Sequence, residues 1–183
     1  MSPRTNSYEA IVDAAEAVVV ESGADHMTLD AVAAKAGVSK GGLLHHFPTK
    51  VALLEAMLNR LIEARKGSRE KIWSGLPDTP ARRLKAHVLS ALRRDERSDR
   101  VGAPLLAALA HDPTLAEPLR ELIKKSYAEF TSTGVKFERA VVLALAADGL
   151  LTQEILRISP FSEEQRSEIV EELLRIADEM VAG

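Results

Sequence analysis

Apolar residues recur along this chain three and four positions apart, the period of an α-helix, and no stretch alternates as a half-buried strand would. The pattern predicts an all-α fold of about nine helices. Tyr8, Ile11, Ala15, Val18 and Val19 mark a first helix to about Ser22, opened by a capping box at Asn6 and Glu9 and stopped by Gly23. Residues 1–5 are left as an arm carrying Arg4. Leu29, Val32, Ala33 and Ala36 mark a second helix, with Thr28 as its N-cap and Gly37 at its end. A third, Lys40 to Phe47, has Ser39 as cap and Pro48 as terminator. Thr49 and Lys50 begin a fourth, whose apolar face is Val51, Leu54, Met57, Leu58, Leu61 and Ile62, with a break expected at Gly67–Ser68 and Trp73 packed near its end.

The second half of the chain is also helical. Thr79 caps and Pro80 opens a helix to about Arg94, with Leu84, Val88, Leu89 and Leu92 inward. Residues 93–100 carry dense mixed charge and read as a solvated helix end and loop. A short helix, Ala103 to Ala110, ends at His111-Asp112-Pro113. Another runs from Leu115 to Thr131, stopped at Thr133–Gly134. Residues 135–157 are the most apolar helix; 140–147 are apolar on every side and must be covered all round. Ser162 and Gln165 form a capping box for the last helix, along which Ile169, Leu173, Ile176 and Met180 keep helical spacing.

The stretch TLDAVAAKAGVSKGGLLHHFPTK (28–50) stands apart. Two short helices across a tight turn bearing Gly37 and the plug residue Val38 form a helix-turn-helix, whose second helix is shaped to enter a major groove. Gly41 and Gly42 together cost about 2 kcal/mol against alanine in a helix interior. A structural helix gains nothing from that, whereas a helix whose backbone lies close to DNA gains access. Lys40, His45 and His46 supply donors, and Leu43 and Phe47 face inward. The plainer alternative is a glycine-rich loop between two core helices.

The run AGVSKGGLLHHFPTK resembles the N-terminal DNA-binding signature of the tetracycline-repressor (TetR) family of one-component transcriptional regulators, over about Asn6 to Leu58. The resemblance implies a DNA-binding domain at 1–50 and a helical ligand-binding and dimerisation domain at 51–183. Lys40 and His45 are then expected at base edges, with Gly41 and Gly42 permitting close approach. Thr28, His46 and Lys50 would meet phosphates, and Ser39 belongs to the same surface. Many family members carry a phosphate-binding tyrosine where this chain has Leu44; here Leu44 meets a thymine methyl or sugar, or packs. The body resembles the regulatory domains of the same family, in which the last two helices pair across a twofold axis, and LAADGLL (145–151) is similar to one C-terminal subgroup of it. That implies a homodimer through Val141, Leu145, Ile169, Leu173 and Ile176, the alternative being ordinary monomer helices.

Composition narrows the function. The chain of 183 residues is 46% apolar and has no cysteine, so it offers no disulfide framework or thiolate metal site. No apolar run is long enough to span a membrane and no secretory pattern opens the chain, so the cytoplasm is the default location. Net charge is −3, and residues 1–50 hold four cations against six anions, a net −2. Five of those anions belong to the first helix and the loop after it, while Lys40 and Lys50 bracket the third helix. DNA affinity is therefore expected to rest on few phosphate contacts per subunit.

No serine stands in a GxSxG turn, no glycine loop fits a phosphate cradle, and the five histidines lack metal-ligand spacing. Neither an enzyme nor a cofactor or metal site is indicated. Asp148, set after eight apolar residues, either reaches solvent, pairs with an arginine, or lines an effector pocket, to which His87, Leu106, Leu109, Tyr127 and Phe130 are assigned. The whole reads as a homodimeric repressor released from a palindromic double-stranded operator by a small-molecule effector. A helical scaffold whose helix-turn-helix docks a protein is the rival, and an activator is not separable by sequence.

Overall fold

The computed structural model describes residues 3–93, 96–131 and 134–182 of the chain. Among these the fold is all-helical, without strands: α1 (Pro3–Ser22), α2 (Leu29–Ala36), α3 (Lys40–His46), α4 (Lys50–Gly75), α5 (Arg82–Leu92), α6 (Glu96–His111), a 3-10 turn (Pro113–Ala116), α7 (Glu117–Thr131), α8 (Phe137–Ile155) and α9 (Glu163–Ala182). The side chains of Arg4, Asn6 and Leu92, and the stop expected at Thr133, lie outside the described residues.

Two compact units emerge, each built from two stretches of the chain. The first is Met1–Ile62 with Glu96–Pro118; the second is Glu63–Asp95 with Leu119–Gly183. A three-helix head alone is too small to bury a sufficient core. Here α6 completes it: Val101, Leu105 and Ala108 join Ile11, Val12, Val19, Val32, Leu43, Phe47, Leu53 and Met57 in one cluster. Charge reinforces that joint. Glu16 on α1 is only 8% exposed. It accepts from Arg60 of α4 at 3.2 Å and from Arg97 of α6 at 2.7 Å. Asp13 accepts from the same two arginines at 2.6 Å each, and Arg60 also reaches Glu9.

Burial pushes the Asp13 carboxyl up, but hydrogen bonds and charge from Arg60 and Arg97 outweigh it and hold the group below its ordinary value. A carboxylate depressed in the fold contributes stability above its unfolded pKa of about 3.9 and loses it as pH falls through the folded value. Thermal melts of the wild type should therefore drop in the acid range below about pH 4. Arg60→Ala should cost about 2 kcal/mol at neutral pH, because a nearly buried carboxylate loses one partner while Arg97 remains, and its acid loss should be smaller. Equal acid sensitivity in both proteins would detach Asp13 from this network.

The second unit packs Ala81, Leu84 and Val88 of α5 and its entry against Ala140, Leu143, Ala144, Ala147 and Leu150 of α8, with Phe130, Leu173 and Ala177. The Arg82 and Arg83 guanidinium carbons lie 4.5 and 4.3 Å from the Trp73 ring centroid. Arg82 also donates to the Trp73 carbonyl at 2.8 Å, closing the end of α4.

Several boundaries differ from expectation. The helix α1 already runs from Pro3, so Asn6 lies inside it rather than at its cap. Through Gly67–Ser68, α4 is unbroken, since one exposed glycine costs only about 1 kcal/mol within a long helix. Thr79 does not cap α5; its N-cap position is Ala81, with no side-chain bond. The charged run is helical from Glu96, because Ser98, Val101, Leu105 and Ala108 form a buried stripe beneath the charge. The reciprocal box of Ser162 and Gln165 is present, with bonds of 3.0 and 3.1 Å.

Candidate nucleic-acid interface

The second and third helices are built by their caps. Thr28 Oγ1 accepts from the Ala31 amide at 3.1 Å, and Gly37 ends α2 at φ 69°, a conformation that glycine adopts without a Cβ clash. Val38 packs on the core beneath the turn. Ser39 Oγ then accepts from the Gly42 amide at 3.0 Å and starts α3. Leu43 and Phe47, 0% and 3% exposed, pin this helix from below. The opposite side presents Lys40, Gly41, Leu44 and His45, four exposed positions at helical spacing. A Cβ at Gly41 would meet nothing within 4 Å, whereas one at Gly42 would stand 3.2 Å from Ser39 Oγ.

Neither lysine near α3 is idle. The Lys40 ammonium pairs with Asp30 of α2 at 2.9 Å. Lys50 donates to the Asp25 carbonyl at 2.8 Å and lines a pocket of about 410 Å³ with Val51, Leu54, Ala108, His111 and Leu115. His46 is half-buried, edge-on to Tyr8 of α1 with ring centroids 6.3 Å apart, and Tyr8 packs on Phe47 at 4.9 Å.

In the second unit, four of the six residues assigned to an effector site gather. His87 Nε2 lies 3.0 Å from Asp148 Oδ1, and its Nδ1 lies 3.4 Å from Arg69 Nη1. A guanidinium can only donate, so Nδ1 is the accepting nitrogen and the Nε2 proton points at Asp148. Arg69 also donates to Ser126 at 2.9 Å. Phe130 meets the His87 ring at 5.1 Å, and Tyr127 meets Phe130 at 6.0 Å. Burial first, then the Asp148 charge, raises the Tyr127 pKa, so its phenol stays protonated. Leu106 and Leu109 belong to the first unit, Leu109 packing on its core.

Residues 11–57 match the family described as bacterial regulatory proteins, tetR family, and residues 81–178 match the tetracyclin repressor-like C-terminal domain. The chain belongs to the TetR family of transcriptional regulators. It is a DNA-binding regulator and not an enzyme. The HTH-type transcriptional regulator BetI of Serratia proteamaculans is 30% identical over 168 residues, 86% of this chain and 85% of that one. TtgW, an HTH-type transcriptional regulator of Pseudomonas putida, is 44% identical over 50 residues, 27% of this chain and 37% of its own length. A solved transcriptional regulator from Rhodococcus sp. Rha1 superposes with a TM-score of 0.72 at 28% identity, covering 95% of each chain.

Two residues beside α3 in this TetR-family chain escaped the sequence reading. Tyr8 reads in the sequence as one more apolar position of α1, and Asp30 as one anion among the six of residues 1–50. Only the spacing of ten between Asp30 and Lys40, folded back across the turn, could have flagged the pair. No helix among the described residues is long and apolar enough to cross a membrane.

Proposed function

We propose that the protein is a homodimeric repressor, working in the cytoplasm, that holds a palindromic operator and releases it when a small molecule binds the second unit. The observation that carries this reading is the outward side of α3: Lys40, Gly41, Leu44 and His45 exposed on a helix locked from beneath by Leu43 and Phe47. Lys40 and His45 suit base edges, Thr28 and His46 suit phosphates, and Lys50 suits phosphate once it leaves the Asp25 carbonyl. Two copies would read half-sites about 34–36 Å apart.

For the effector, the Asp148 carboxylate sits against His87, whose ring meets Phe130, and its charge reaches Tyr127, an arrangement that suits a cationic group. The residues of α4 run on either side of Ile62, so this helix belongs to both units and is one covalent route by which the second could act on the first. Only a ligand that binds the DNA-incompetent arrangement more tightly can shift the balance.

Selection of bound duplexes from a random pool should enrich one palindromic sequence. Organic cations screened against that complex should include one that lowers its affinity, and lose the effect in Asp148→Asn. Failure to enrich any sequence would overturn the DNA reading; enrichment with no releasing cation would overturn the effector reading alone.

A further inference from the structure

Along α1 the buried stripe of Ile11, Val12 and Ala15 comes to the surface one turn earlier, at Tyr8, which is 39% exposed. Its ring lies against the C-terminal end of α3, with centroids 4.9 Å from Phe47 and 6.3 Å from His46. Phe47 beneath it is 3% exposed, and covering it takes an apolar ring and no more. Tyr8 carries a hydroxyl as well. Among the described residues that hydroxyl has no hydrogen-bond partner.

The acids of α1 have other partners. Glu9, Asp13 and Glu16 bond Arg60, and the last two also bond Arg97, so their charge is met by arginines of the same unit. The phenol is left as a donor at the edge of the core, beside the histidine that ends α3. We propose that Tyr8 is a DNA-contact residue, whose hydroxyl donates to a backbone phosphate at the His46 end of α3. Tyrosine hydroxyls are among the groups that hold a protein in register on a duplex without reading its bases. The inference rests on α3 being the helix that enters the groove. It carries the interface onto α1, which none of the donors named above belongs to. An uncharged donor also suits a head whose first fifty residues hold four cations against six anions, since it adds a phosphate bond without a further cation.

The test titrates the full-length protein against the duplex that the wild type selects from a random pool, and against copies of it with single base changes. Tyr8→Phe should bind the selected duplex about ten-fold more weakly, the loss expected of a hydrogen bond to a charged group. The altered copies should lose the same factor, leaving the order of base preferences as it was. The salt slope should hold, because no cation is removed. The variant should melt within about 2 °C of the wild type, since the ring over Phe47 is kept. Methylphosphonates placed one at a time along the selected duplex then locate the acceptor. At one position in each half-site the wild type should lose about ten-fold more affinity than Tyr8→Phe does, because the two changes remove the same bond.

Unchanged affinity in Tyr8→Phe would reduce the residue to a cover for Phe47. A loss that no methylphosphonate position absorbs would overturn the phosphate contact, and a changed order of base preferences would place the hydroxyl's effect on α3 instead. If the wild type selects no sequence at all, the groove-helix reading fails and this proposal falls with it, a result distinct from the other three.

Discussion

Gly41→Ala should melt higher than the wild type and bind its operator about ten- to a hundred-fold more weakly. The two effects have separate causes. Gly41 is exposed in the first turn of α3, and a methyl group there meets no atom within 4 Å. Alanine removes unfolded-state freedom and favours the helix by about 0.5–1 kcal/mol. Against DNA the same methyl intrudes where the backbone is to lie closest, and about 1.4–2.8 kcal/mol of lost contact gives the stated range. Calorimetry and duplex titration read the two quantities independently. A variant that is more stable and binds equally well would show that this glycine has no role in the approach. Gly42→Ala is a poorer probe, since its methyl presses on Ser39 Oγ at 3.2 Å and disturbs the cap.

Leu145→Glu should convert the protein to monomers in sedimentation and lower operator affinity at least about a hundred-fold, because two linked half-sites bind far more tightly than one. The physical ground is an uncovered side of α8. Val142 and Leu145 are 67% and 55% exposed, and Gly149, about a turn further on, opens to free space. An apolar side of this kind suits a second subunit, as the proposed dimer requires. Val141, Ile169 and Ile176 are half-buried and fit the margin of such a face. Leu173 does not: at 7% exposure it belongs to the core of its own unit, so a charge there would unfold the body rather than separate the subunits. A Leu145→Glu protein that sediments as a dimer would move the interface elsewhere.

The helix-turn-helix was legible because its chemistry is local. Thr28, Gly37 and Ser39 each act on an amide or a turn within a few residues, and periodicity separated Leu43 and Phe47 from the outward positions. What sequence could not display were partners far apart in the chain. Arg97 looked like loop charge because its carboxylates lie on α1, 81 and 84 positions away. Beneath that charge the stripe of Ser98, Val101, Leu105 and Ala108 was present, but diluted by acids and bases. The end of α8 was obscured differently. Arg157 takes the left-handed conformation, φ 56°, that glycine usually fills, while Ile158 and Arg157 donate back to Gln153 and Glu154. With no glycine to announce it, that stop could be placed only approximately.

The paired arginines on Glu16 also bear on protein engineering. A chimera that transplants residues 1–50 onto a foreign body would carry Asp13 and Glu16 without Arg60 or Arg97, stranding a carboxylate in a dry seam. Modular sensors assembled from this protein should cut after Ile62 and bring the Glu96–Pro118 segment along. The portable unit is defined by that ionic joint, not by the length of the helix-turn-helix.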